Sequence, residues 1–122
     1  MIRFWPPAFV YYTDALPDGV GGEARAFIVR IRPVYKDDSG ILAHELEHVR
    51  QALCGLLLGH ALLYQFVRRY RQWAEIRAYR EQMCWLRADG AYLSLDDAAW
   101  RLTSPRYNLG ITIDEARAAL KG

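Results

Sequence analysis

The hydrophobic pattern changes period once along the chain. Up to about residue 32, apolar positions fall in short runs of aromatic and β-branched residues, AFVYYT (8–13) and ARAFIVRIR (24–32), which is strand composition. Between them DALPDGVGGE carries Pro, Asp-Gly and Gly-Gly, the residues that turn a chain. The spacing predicts an antiparallel hairpin with a loose loop. On its second strand Phe27, Val29 and Ile31 share a face with Arg25, while Arg30 and Arg32 take the other, so that strand is expected to be solvated on one side.

From about residue 37 the period is helical. Asp38 or Ser39 offers an N-cap, and apolar residues recur at Ile41/Leu42, Leu46, Val49, Leu53, Leu56 and Leu57. Gly59 is expected to end this helix, and HALLYQFVRRYRQW to begin a second, shorter one. AEIRAYREQMCWLRA (74–88) is a further amphipathic segment, with Ile76, Tyr79, Met83 and Leu86 on one stripe, stopped by Asp89-Gly90. Ser94 with Asp97 reads as a capping pair for LDDAAWRLT, and Thr112 with Glu115 as a fuller capping box for the last helix. The expected fold is α+β: a small antiparallel β-hairpin or sheet packed on about five helices, one domain over residues 1–122.

Composition changes this picture little. With 122 residues, 52% hydrophobic and 25% charged, the chain suits one ordinary core. MIRFWPPAFVYYT lacks the continuous apolar stretch of an export signal. LCGLLLGHALLYQFV (53–67) is shorter than the ~18–20 residues that span a bilayer. The expectation is a cytoplasmic protein without a membrane span, its Cys54 and Cys84 reduced and buried. A net charge of +2 argues against a nucleic-acid-coated protein. RRYRQWAEIRAYR (68–80) interleaves arginines with aromatics, but a solvated helix face with inward aromatics explains it better than a nucleic-acid surface.

Candidate chemistry lies in GILAHELEHVRQAL (40–53), where His44, Glu45 and His48 form H-E-x-x-H within an apolar helix. Residues four apart share a helix face, so two imidazoles project from consecutive turns, a spacing that suits two corners of a tetrahedral zinc site. Glu45 is rotated ~100° from His44, placed to act on a metal-activated water without ligating the metal. A satisfied core pair of histidines is the plain alternative. In a chain with three histidines, matching all three motif positions by chance is the less economical explanation.

A catalytic zinc needs a third protein ligand and one open position. The metzincin arrangement fails, because Gln51 and Cys54 stand where it has glycine and histidine. His60 follows Gly59 and lies more than three helical turns beyond His48. Glu75, in WAEIRAYREQ, sits beside the apolar stripe of a later helix, where an unpaired carboxylate is costly. A metal would resolve that cost, as would a neighbouring arginine. Glu75 is the expected third ligand.

With these four residues the chain resembles the gluzincin class of zinc metallopeptidases, in which two histidines come from an H-E-x-x-H helix and a glutamate from a following helix. HELEHVRQ followed by AEIRAYREQ is similar to the small single-domain forms, the minigluzincins and short bacterial or phage-encoded metallopeptidases. Their glutamate helix reads E-x-x-A-Y, matched here by Glu75, Ala78 and Tyr79. The resemblance covers residues 24 to about 86. It implies Zn²⁺ on His44, His48 and Glu75, Glu45 as general base and acid, and a peptide or protein substrate extended along a strand edge within 24–32. Larger gluzincins add an oxyanion-stabilising histidine or tyrosine from a C-terminal subdomain. Here His60, Tyr92 and Tyr107 are the stand-ins. The competing readings are a zinc hydrolase acting on another amide, such as a cell-wall peptide crosslink, and a non-catalytic, zinc-stabilised structural or nucleic-acid-associated protein. A structural site has no use for Glu45 and prefers a fourth protein ligand. The sequence sets no oligomeric state.

Overall fold

The computed structural model describes residues 2–4, 6–55 and 58–122. The described residues form an α+β fold with five helices and one mixed four-stranded sheet. The strands are β1 (Ile2–Phe4), β2 (Pro7–Tyr12), β3 (Gly22–Arg25) and β4 (Ile28–Ile31), in spatial order β1-β2-β4-β3. A 3-10 turn, Pro33–Tyr35, leads into α1 (Ser39–Cys54), which is followed by α2 (Leu58–Phe66), α3 (Arg68–Gln82), α4 (Leu95–Leu102) and α5 (Ile113–Lys121).

The expected antiparallel pairing of 8–13 with 24–32 does not occur. β2 and β4 run parallel, in register Val10↔Val29 and Tyr12↔Ile31. The reason lies inside ARAFIVRIR. Ala26 takes a left-handed backbone, φ 51°, and with Phe27 makes a two-residue turn that splits the run into β3 and β4. These two strands form the antiparallel hairpin, Arg25 opposite Ile28 and Gly22 opposite Ile31. Phe27 therefore sits exposed in a turn rather than on the core face. The connection from β2 to β3 is held by Arg32, whose Nε donates to Val20 O at 2.7 Å and whose Nη2 donates to Leu16 O at 2.9 Å and Pro17 O at 2.7 Å.

Strand alternation supplies one core. Ala8, Val10, Val29 and Ile31 face inward onto Leu46 and Val49 of α1, while Phe9, Tyr11 and Ile28 face outward. The second core lies between α3, α4 and α5, around Leu93, Leu102, Leu109 and Leu120. Helix α1 is thus wedged between sheet and α3. Its face towards α3 meets Ala74 and Ala78, both fully buried. Small side chains there let the helix axes approach closely.

Three helix starts follow the sequence. Asp38 caps α1, accepting from the Ile41 amide at 2.9 Å; Ser94 caps α4; Thr112 and Glu115 complete a reciprocal capping box at α5. Thr112→Ala is expected to cost about 1 kcal/mol, read as a lowered urea midpoint with unchanged slope. Helix ends agree less well. Gly55, not Gly59, caps α1, its amide donating to Gln51 O, and Gly59 lies within α2. Leu56 and Leu57, assigned above to the first helix, lie outside the described residues. RRYRQW and AEIRAYREQ, expected on separate helices, form the single helix α3. Cys54 and Cys84 are free thiols as expected, but exposed rather than buried.

Among the described residues, no helix is long and apolar enough to cross a membrane.

Candidate metal centre

His44 and His48 leave α1 on the face that meets α3, and Glu75 leaves α3 opposite them. His44 Nε2 lies 3.3 Å from Glu75 Oε1, and His48 Nε2 lies 3.2 Å from Glu75 Oε2. The three donor atoms fall within 4.8 Å of one another. The glutamate side chain is 2% exposed. Its Oε1 has no hydrogen-bond partner, an expensive condition for a buried carboxylate oxygen. Oε2 accepts from the Tyr64 hydroxyl of α2.

The back of each imidazole is held by a glutamine. His48 Nδ1 is 3.1 Å from Gln51 Oε1, and His44 Nδ1 is 2.9 Å from Gln82 Oε1. The orientation of Gln51 is fixed by its own amide nitrogen, which donates to Ala74 O at 3.0 Å and towards Glu47 Oε1 at 3.4 Å. Both of those partners only accept. The oxygen of Gln51 must then face His48, so His48 Nδ1 carries the hydrogen and donates it. A neutral His48 accordingly aims the lone pair of Nε2 at a carboxylate.

The His48 lone pair and the Glu75 carboxylate repel unless positive charge sits between them. In the metal-free chain that charge is a proton. Burial opposes a charged His48, but the adjacent Glu75 carboxylate outweighs it and raises the pKa to about 9. For Glu75 burial acts upward, yet the two imidazoles hold it well below the usual carboxylate range. A divalent cation meets the same need. Two imidazole nitrogens and one carboxylate oxygen form a donor set suited to zinc, and the orphaned Oε1 is the atom such an ion would satisfy. His44, His48 and Glu75 are the residues that could hold it.

Outer partners of this kind are typically worth ~10–100-fold in metal affinity. Gln51→Leu is expected to weaken zinc binding within that range, measured by competition with a chromophoric chelator. An unchanged affinity would mean that His48 needs no orientation from Gln51.

Glu45 is not part of this three-residue group. It is buried beneath β3, and a Cβ built on Gly22 would come 3.3 Å from Glu45 Cγ and 3.1 Å from Ile41 Cγ2. Glycine at position 22 is what lets the strand lie this close to the helix. Burial raises the Glu45 pKa, against the lowering pull of the neighbouring histidines. Glu45 and His44 both line a cleft of about 490 Å³ bounded by Gly21 and Gly22 on one side and by Trp100, Ser104 and Tyr107 on the other.

The remaining sequence candidates divide. The strand edge over the site is β3, so the expected 24–32 stretch contributes only its first residues; β4 is interior, flanked by β2 and β3. Tyr107 lines the cleft, its hydroxyl 2.6 Å from that of Tyr79, whose ring packs edge-on against His44 at 4.4 Å between centroids. Burial raises both phenols' pKa, that of Tyr79 to about 12. Tyr92 is exposed and does not line the cleft, and His60 is bonded to the Tyr70 hydroxyl at 2.7 Å. Within the basic stretch, Arg71 caps the Tyr64 and Tyr107 carbonyls, Arg68 bonds Asn108, and Arg77 pairs with Glu47. These arginines tie α3 to α1, to α2 and to the segment before α5.

The sequence assigns no role at the site to Gln51, Gln82 or Tyr64. The two glutamines had a readable signal, since Gln51 lies three residues after its partner His48 and Gln82 lies seven after Glu75, on the same face of α3.

Comparison with family models, curated proteins and solved structures returned no match for this chain.

Proposed function

We propose that this chain is a zinc-dependent peptidase of the gluzincin type, with the ion held by His44, His48 and Glu75. The reading is carried by one observation: a buried glutamate from a second helix meets both imidazoles of H-E-x-x-H through their Nε2 atoms, while the glutamate of the motif lines the adjoining cleft. Zinc bound there would supply Lewis acidity towards a scissile carbonyl and towards water.

The other roles belong to the chain. Glu45 takes a proton from the attacking water and later gives it to the leaving amine. Its raised pKa suits a group that must do both. β3 is an edge strand, so its unpaired backbone groups can bind an extended peptide as an added strand. Of the three stand-in residues only Tyr107 lines the cleft, which makes its phenol the donor for the developing oxyanion.

The test is digestion of a complex peptide mixture, followed by mass spectrometry. Cleavage should stop after treatment with a chelator and return with zinc but not with magnesium, which prefers all-oxygen ligands. Cleavage that persists in chelator would remove the metal from the account.

A further inference from the structure

The cleft is asymmetric in charge. Its floor and β3 side are formed by His44, Glu45 and the glycines, and its far wall comes from the end of α4 and the turn after it. Three arginines line it. Arg87 has a carboxylate partner in Asp89, 3.3 Å away. Arg101, half-buried, and Arg106 have no carboxylate partner among the described residues.

Arg106 is nevertheless held in place. Its Nη1 donates to Gly19 O at 3.3 Å, its Nη2 donates to the Tyr107 hydroxyl at 3.1 Å, and its guanidinium lies 4.9 Å from the centre of the Tyr107 ring. Through Tyr107 and Tyr79 it connects to His44, so the cation stands two phenols away from the metal donors. The cleft's own acids do not neutralise this wall. The Asp38 carboxylate caps the Ile41 amide, and Glu45 lies buried on α1 beneath Gly22.

A guanidinium offers five N–H donors in a planar fork that matches a carboxylate. Two of them on one wall, both lacking an anion, describe half of a recognition site. We propose that Arg101 and Arg106 bind a carboxylate of the peptide substrate, either an acidic side chain or the chain terminus, at one fixed distance from the cleaved bond. This inference rests on the peptidase reading of the same cleft, and it can be tested without hydrolysis.

The experiment uses the full chain carrying Glu45→Gln, with zinc added, and measures peptide binding by calorimetry. The probes are one neutral peptide, the same peptide with a single Glu moved along it, Gln counterparts at each position, and free-acid and amide forms of each. At one position the Glu peptide should bind about tenfold more tightly than its Gln counterpart, as a charge-assisted hydrogen bond warrants. The advantage should shrink with added salt. If the acid and amide forms carry the difference instead, the carboxylate is the chain terminus. The double substitution Arg101→Gln/Arg106→Gln should erase whichever preference is seen.

Equal binding of Glu and Gln peptides and of acids and amides overturns the proposal, as does a preference that survives the double substitution. The peptide comparison needs no arginine variant, so a misfolded variant does not shield the claim. A protein that prefers acidic peptides but cleaves none keeps this subsite and loses the peptidase reading. One that cleaves without regard to carboxylates does the reverse.

Discussion

Glu45→Gln should retain a full equivalent of zinc and lose hydrolysis by about 10²–10⁴-fold, the range that a positioned acid–base group contributes. Glutamine keeps the shape of glutamate and fills the same space under Gly22, but it cannot accept a proton. Stability supplies a second readout that a structural role would move the other way. The Glu45 charge is disfavoured by burial, which is why its pKa is raised, and a neutral amide removes that penalty. The variant should therefore unfold at the same temperature as the parent or above it. A parent-like rate of cleavage in Glu45→Gln would remove Glu45 from the chemistry. A marked loss of stability would mean that its carboxylate serves the fold.

Glu75→Ala should be the most damaging change for the metal. Outer partners alone are worth ~10–100-fold in affinity, so loss of a coordinating carboxylate should exceed ~100-fold. The fold should suffer as well. The substitution strips both imidazoles and the Tyr64 hydroxyl of a shared buried anion, and breaking such a cluster typically costs ~3–5 kcal/mol. Glu75→Gln separates the two effects, because it fills the space and can still accept from Tyr64 while withdrawing the charge. Zinc content by elemental analysis and thermal unfolding should be measured on both variants. Undiminished zinc in a folded Glu75→Gln or Glu75→Ala protein would move the third ligand elsewhere.

That His44 and His48 would come together was legible in the sequence because helix geometry is local. A spacing of four residues fixes the relative direction of His44 and His48 whatever surrounds them. Glu75 was legible for an energetic reason, as a carboxylate beside an apolar stripe needs a partner. Capping residues were equally readable at Asp38, Ser94 and Thr112, since their side chains bond amides only a few residues away.

What could not be read is non-local or depends on one unusual backbone angle. The turn at Ala26 contains no glycine or asparagine, yet its left-handed backbone changes a predicted antiparallel pair into a parallel one. Nothing in ARAFIVRIR marks that position. Two glycines compete to end α1, and only the bond from Gly55 to Gln51 O decides between them. The two cysteines look apolar in sequence, but both are exposed, Cys54 as the last residue of α1 and Cys84 in the turn just after α3. The pairing of glutamines with histidines needed the packing of α1 on α3, which Ala74 and Ala78 permit but do not announce.

Sharing of one ion by two imidazoles and a carboxylate can be read from the surroundings of the metal itself. X-ray absorption at the zinc edge, on protein purified without added metal, tests it most directly. The expected spectrum is that of bound zinc with only nitrogen and oxygen neighbours at ~2.0–2.2 Å, including the outer-ring scattering of two imidazoles. A sulfur neighbour at ~2.3 Å, a single imidazole, or no bound zinc would contradict it.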